Sequence, residues 1–316
     1  MYIVCGEALF DLLVGEERSD GGLALDARAG GSPFNVAIGL ARLGAPVGFY
    51  AGLSLDPLGD RLFDRLEAEA VDTTLIARLD RPTTLSLVGQ TSAGTPAYTF
   101  YGAGAADRSL MPDRLPTLPA TVTALHFGSY TIVATPTADA VRALAEREAA
   151  ARLLSLDPNV RPSVEPDMAV WRRRIAHLAK LADVIKASTE DLALLWPGRS
   201  TADVAQEWLH GGAALVVITM GEKGATAFTA QHEATVEPSA VKVVDTVGAG
   251  DSFQAALLNG LRCLGMRTKT RLAAIDETTT TALIGYANRA AALTCSRRGA
   301  DLPLAAELGP PPGAGH

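Results

Sequence analysis

Between residues 124 and 219 the chain repeats a single pattern, in which short apolar runs alternate with longer stretches of helical periodicity. "ALHFGSY" is followed by the helical "TPTADAVRALAEREAAA", with Thr135 placed to cap it, and "RLLSLDPN" by "MAVWRRRIAHLAKLA". "DVIKAS" is followed by "STEDLALLW" and "TADVAQEWLHGG", and "AALVVITMG" closes the series. Strands joined by helical crossovers run parallel, and a parallel strand buried on both faces reads as a continuous apolar run. The pattern therefore predicts an α/β domain in three layers, with helices on both faces of a mainly parallel central sheet.

The first third of the chain fits that rhythm only in part. "YIVCGEAL" reads as a first strand, "PVGFYAGL" as another and "DPLGDRLFDRLEAEAV" as an amphipathic helix. "GGSPFNVAIGLARLG" predicts a helix capped by Ser32, with Pro33 at its first position and Gly44 at its end. Arg42 is its one charged residue, so it should be deeply buried. More polar strand-like segments near 12–30 and 83–104, the second a hairpin around a Gly/Pro turn, predict a small separate β-sheet. No internal repeat is present. Residues 1–308 are expected to form one domain, and the Pro/Gly-rich tail 309–316 to be disordered.

Composition removes several classes of function. The 316 residues are 48% hydrophobic and 20% charged, ordinary values for a globular protein. Lys plus Arg number 28 against 35 Asp plus Glu, a net charge of −7 with no basic stripe, which disfavours nucleic acid as a partner. The three cysteines, Cys5, Cys263 and Cys295, are scattered without a CxxC pair or a nearby His cluster. Neither a signal peptide nor an apolar run long enough to span a membrane is visible, so a cytoplasmic protein is expected. His126 and His177 read as structural.

Ligands of open α/β sheets collect beyond the carboxyl ends of the strands. Polar residues fall there repeatedly: Asp11, Asp157 and Asn159, Lys186, Thr219, and the turn from Asp245 to Asp251. That last turn, "DTVGAGDSFQAALLNG", opens an apolar helix with Gly248, Ala249 and Gly250, whose backbone N–H groups a bulky anion can approach. Asp251 sits in the same turn. A first-turn carboxylate is also an ordinary helix stabiliser, and glycines before a helix ordinarily just turn the chain. Beside a phosphate site, however, a carboxylate suits phosphoryl transfer to a hydroxyl.

"GGSPFNVAIGLARLG" and "DTVGAGDSFQAALLNG", supported by "LDPNVR", "ITMGEKGA" and "YANRAAALTCSRRGA", resemble the ribokinase/PfkB family of sugar kinases over nearly the whole chain. The resemblance implies a ribokinase-like α/β domain with a small β lid, and the wording is closest to the fructokinases. It implies ATP and Mg2+ as cofactors and a monosaccharide as acceptor, fructose first, with 2-keto-3-deoxygluconate kinase or ribokinase as alternatives. A silent sugar-binding protein on the same fold is the rival of another class.

Position by position, the resemblance makes Asp251 the base on the sugar hydroxyl and the Gly248–Ala249–Gly250 turn the anion hole. Asp11, Gly31, Asn35, Arg161 and Arg108 would bind the sugar or lie near the phosphates. Lys186, Ser188, Thr219, Gly221, Gly224 and Asn288 would border the nucleotide. Asp245 and Thr246 would flank a monovalent-cation site, with potassium the candidate. Exposed lid strands would pair two copies into a homodimer.

One departure is plain. Where the family shows Asn-x-x-Glu near magnesium, this chain has Ser188-Thr-Glu-Asp191. Ser188 and Asp191 also form a good capping box, so Glu190 and Asp191 both stand as candidates for organising the metal. The chain lacks GxxxxGK[ST], and its "GAGDSF" has Phe253 where a dinucleotide fingerprint needs a third glycine. An NAD oxidoreductase is a poor fit.

Overall fold

A computed structural model describes residues 1–90 and 96–313 of the chain. The expected alternation folds into one eight-stranded sheet. Its parallel strands are β1 (Tyr2–Cys5), β4 (Val47–Tyr50), β9 (Ala124–Gly128), β10 (Leu153–Asp157), β11 (Val184–Ser188) and β12 (Leu215–Thr219). β13 (Ala225–Phe228) and β14 (Glu233–Val236) join antiparallel at one edge, giving the spatial order β14-β13-β12-β11-β10-β9-β1-β4. Because the parallel strands all run the same way, the residues at their carboxyl ends share one edge.

Side-chain alternation along the strands feeds both layers. Ile3 and Cys5 of β1 pack with α3 (Thr137–Glu148), α4 (Met168–Ala179), α5 (Thr189–Leu195) and α6 (Thr201–Gly211) through residues such as Leu144, Trp171, Leu192 and Trp208. Tyr2 and Val4 face the opposite layer, with α1 (Ser32–Arg42) and α2 (Pro57–Ala68). α7 (Ala249–Cys263) and α9 (Glu277–Cys295) complete that layer through Phe253, Leu257, Leu283 and Tyr286. Two short helices complete the set, α8 (Lys269–Ala273) between α7 and α9, and α10 (Ala305–Leu308) after α9. Every residue of α1 from Ser32 to Leu40 is buried, as its composition predicts.

The polar segments form a separate four-stranded sheet, the lid, in the order β3-β2-β7-β8. It comprises β2 (Leu9–Glu17), β3 (Leu23–Gly30), β7 (Leu85–Gln90) and β8 (Pro96–Tyr101). The hairpin pairing of β7 with β8 matches expectation, and its turn, 91–95, lies outside the described residues. β5 (Gly52–Ser54) and β6 (Ala77–Leu79) make a two-stranded piece beside it.

Three details differ from the sequence reading. Ser32 does not cap α1: Gly31 occupies the cap position at φ 109°, and the Ser32 hydroxyl is drawn away to Asp251. α3 begins at Thr137 without a side-chain cap from Thr135. Of the tail, residues 309–313 are placed against the end of α7, with Pro312 beside Gly260 and Gly313 beside Leu264, and 314–316 lie outside the described residues. His126, buried, meets Ser155 Oγ at 3.1 Å, and His177 meets Glu146 at 2.8 Å. Among the described residues no helix is long and apolar enough to cross a membrane.

Candidate active site

Between the lid and the carboxyl edge of the sheet lies a cavity of about 690 Å³. It brings together Asp11, Gly31, Asn35, Arg161, Lys186 and Asp251 of the residues singled out from sequence, with Glu190, Thr246, Gly248 and Gly250 also on its wall. Residues from five separate stretches converge because each stretch ends at the same sheet edge or enters the lid.

Asp251 is held from two sides. Ser32 Oγ donates to Oδ1 at 2.7 Å and Asn35 Nδ2 donates to Oδ2 at 2.8 Å, both bonds buried. Ser32 and Asn35 lie on the first turn of α1 and Asp251 on the first turn of α7, so the pairing of these two helices sets the carboxylate's orientation. Hydrogen bonds to a charged acceptor in a buried site are among the stronger ones a protein makes.

The start of α7 is open. Gly248 is its N-cap at φ 79°, a left-handed conformation that supplies no capping side chain. A methyl group there would also fall 2.6 Å from Ala300 Cβ, so glycine is required twice over. Ala249 N–H donates to Thr246 O at 3.2 Å, while the N–H groups of Gly250 and Asp251 have no partner among the described residues. Those two donors carry the positive end of the helix dipole.

Lys186 completes the charge pattern. Its Nζ donates to Asp157 Oδ2 at 2.8 Å, with both side chains buried. A methyl group on Gly250 would lie 3.3 Å from this Nζ, which places the ammonium beside the open turn. Burial works against the Lys186 charge, but Asp157, with Asp191 and Asp251 beyond it, outweighs that cost, and the ammonium's pKa ends above its ordinary value. Burial, helped by the nearby Asp191 and Asp251 carboxylates, pushes Asp157 up against the pull of Lys186.

The two carboxylates of the Ser188–Asp191 segment have different positions. Asp191 is buried and fully engaged: Oδ1 accepts from Val160 N at 2.7 Å, and Oδ2 from Ser188 N and Oγ at 3.1 and 2.8 Å. With Ser188 Oγ accepting from Asp191 N, this is the capping box that the sequence offers. Glu190 is exposed and lines the cavity.

Several expected residues lie elsewhere. Arg108 is not on the cavity wall; its guanidinium lies over the Tyr130 ring, 4.8 Å from the centroid, at the base of the lid. Asp245 is a joint between loops, accepting from Val247 N at 3.1 Å and Gly299 N at 2.8 Å. Thr219 ends β12, with its hydroxyl 3.4 Å from Ala187 O. Gly221 and Gly224, at φ 56° and 82°, form the turn between β12 and β13, and Gly224 leaves no room for a methyl group against Val236 O. Asn288 donates to Val236 O and Glu237 O at 3.2 and 3.0 Å, fixing the chain after β14.

Other cavity residues carried no clear signal in the sequence. Glu7 follows β1 and is almost fully buried, with one carboxyl oxygen unpartnered, and burial pushes its pKa up to about 7. Burial likewise raises Asp11. Ser86, Phe100, Ser129 and Tyr130 complete the wall. Tyr130 OH donates to Asp107 at 2.5 Å, and its ring meets Phe100 edge-on with centroids 5.9 Å apart, giving the cavity an aromatic side.

A braced carboxylate beside an unpaired helix start, under a β lid on a ribokinase-like α/β body, describes a small-molecule phosphotransferase. The chain belongs to the pfkB family carbohydrate kinases, whose family model matches residues 3–307. It is 40% identical to a fructokinase of Rhizobium leguminosarum bv. trifolii over 88% of this chain and 84% of that one. Among solved structures it is similar to a Xylella fastidiosa fructokinase with bound ATP, at TM-score 0.87 and 28% identity over 97% and 96% of the two chains. It is also similar to a Salmonella enterica aminoimidazole riboside kinase complexed with aminoimidazole riboside and an ATP analog, at TM-score 0.80 and 26% identity over 97% and 98%.

Proposed function

We propose that this carbohydrate kinase transfers the γ-phosphoryl group of ATP to a hydroxyl of fructose. The observation that carries the reaction is the buried Asp251 carboxylate, oriented by Ser32 and Asn35 beside the unpaired N–H groups of Gly250 and Asp251. Fructose is supported by the 40% identity to a fructokinase over most of both chains.

Unpaired donors and the Lys186 ammonium fit an anionic phosphoryl group, and ATP supplies that group. Asp251 accepts the proton of the attacking hydroxyl as the new P–O bond forms. Lys186 and the α7 turn hold charge that develops on the transferring oxygens. Asp11 and Asn35 orient the sugar hydroxyls, with Arg161 beside them, and the Phe100–Tyr130 pair packs on the carbon face of the ring. Closing the lid excludes water, so the phosphoryl group reaches sugar rather than solvent.

Magnesium would neutralise phosphate charge and keep several of its waters. Among the described residues no group of three or more acidic, His or Cys side chains is built to hold a metal. Glu190, an exposed cavity carboxylate whose hydrogen bond comes from the neighbouring Thr189 at 3.2 Å, is the residue we assign to the magnesium waters in place of Asp191. The Thr219, Gly221 and Gly224 end of the sheet is assigned to the nucleotide, with Asn288 shaping its border from behind. Potassium near Asp245 and Thr246, and a homodimer formed through the lid, whose Val14, Leu23 and Leu25 are exposed, belong to the same proposal.

The test is ADP production with Mg-ATP across fructose, ribose, 2-keto-3-deoxygluconate, glucose and adenosine, with and without potassium. Turnover dominated by fructose is expected. Preference for another acceptor would overturn the sugar assignment and leave the chemistry standing. No turnover by folded protein with any acceptor would overturn the proposal.

A further inference from the structure

We propose that Arg28 of the lid is a further residue for this reaction, contacting the terminal phosphate of the bound nucleotide. The inference rests on the kinase reading above.

Across the lid, one cross-strand row reads Arg28, Asp11, Ser86, Phe100. Arg28 is paired with Asp11, Asp11 with Ser86, and Ser86 with Phe100. Directly paired residues project from the same face of a sheet, so all four side chains point the same way. Asp11, Ser86 and Phe100 line the cavity. Arg28 therefore projects from the same face, at the outer end of the row and just beyond the cavity wall.

That end lies against the nucleotide side of the molecule. A methyl group on Gly299 would fall 2.8 Å from Arg28 Nη1, so the guanidinium rests on the backbone of the loop after α9. The next residue, Ala300, packs against Gly248, the cap of α7. Gly299 N–H in turn donates to Asp245 at the start of the glycine turn. Arg28 is thus linked to the cap of α7 through two successive residues, Gly299 and Ala300, with Lys186 beside Gly250 in the cavity wall. It is the one basic residue in the four lid strands.

Its present partner does not hold it firmly. Arg28 Nε and Nη2 donate to Asp26 at 2.9 and 2.7 Å, but the side chains are 37% and 59% exposed. Exposed pairs of this kind contribute little, well below a guanidinium–phosphate contact in a closing cleft. A planar fork with several donors suits a phosphate better than the single carboxylate oxygen it now shares. Because Arg28 travels with the strand that carries Asp11, a nucleotide contact would draw the lid over the sugar.

The experiment is calorimetric titration of Mg–AMP-PNP, and separately of AMP, into wild-type protein, Arg28→Ala and Arg28→Lys, each saturated with fructose. Arg28→Ala is expected to weaken AMP-PNP at least tenfold and leave AMP within twofold, with Arg28→Lys recovering part of the loss. Equal AMP-PNP affinity in wild type and Arg28→Ala, or an equal loss for AMP, would overturn the inference alone. Absence of AMP-PNP binding by the wild-type protein would overturn the kinase reading and the inference with it.

Discussion

α5 and α7 both begin at the carboxyl edge of the sheet, and both carry a carboxylate in the first turn. Their local sequences, "STED" and "GAGD", look like two versions of one helix start. In α5, Ser188 and Asp191 satisfy each other, and Asp191 also ties down Val160. In α7 the cap is a glycine, the first donors stay unpaired, and Asp251 takes its partners from another helix. A saturated helix start stabilises the fold, whereas an unsaturated one leaves free energy that a ligand can recover. Six helices, α2, α4, α5, α6, α8 and α9, are capped by their own side chains. α1 and α7 start on glycines at positive φ, and their first turns meet at Asp251 on the cavity wall.

The sharpest way to break this contrast is Asp251→Asn. The amide keeps the shape and loses the proton acceptor, so kcat should fall by about 10²–10⁴, the usual range for a positioned general base. Affinities for fructose and AMP-PNP should stay within a few-fold. Retention of a tenth or more of wild-type kcat would remove Asp251 from the chemistry and make α7 another structural helix start.

Asn35→Ala tests whether the braces matter as well as the base. It deletes one charge-assisted hydrogen bond to Asp251 and leaves α1 otherwise intact. A loss worth about 1.5–3 kcal/mol predicts a fall in kcat/KM of roughly 10- to 100-fold. An effect under twofold would mean that Ser32 alone orients the carboxylate.

Glu7 extends the contrast to a buried carboxylate with one oxygen left unpartnered. Burial raises it from 4.5 to about 7, so the folded state binds its proton more tightly than the unfolded chain does. Stability from this group is full below pH 4.5 and is lost as pH rises through 7. Glu7→Gln, neutral throughout, should therefore gain on wild type between pH 5 and 8, by about 3 kcal/mol at most. Thermal melts of both proteins across that window check it. Parallel curves would show that Glu7 finds a partner in solution.

How much of this was legible beforehand depends on sequence separation. The central sheet is readable because strands buried on both faces must be apolar throughout, and crossovers impose the alternation. The lid shows as polar strands that break the rhythm, and the α7 turn as glycines before an acid. Ser32 before Pro33 fits the local capping rule, whereas the partner its hydroxyl takes lies 219 positions away and leaves no local trace. Asn288 has the same problem: its amide bonds carbonyls more than 50 residues earlier, and no helical periodicity records that. Glu7 looks like an ordinary polar residue after a strand until the fold closes over it.

Ser188→Ala gives the smallest expected effect and tests the other side of the comparison. It removes the cap of α5 and one of the two hydroxyl or amide donors from Ser188 to Asp191 Oδ2. Loss of an N-cap costs about 1 kcal/mol, which in a chain of this size is a drop of about 2 °C in Tm. Because Asp191 keeps its bond from Val160, the loop bearing Asn159 and Arg161 stays in place, and kcat should change less than twofold. Glu190→Gln should do the reverse, leaving Tm unmoved and raising the magnesium concentration for half-maximal rate several-fold. If instead Ser188→Ala shifted the magnesium requirement and Glu190→Gln did not, Asp191 would be the metal-organising carboxylate. The saturated helix start would then be functional too, and capping would no longer separate the two kinds of helix.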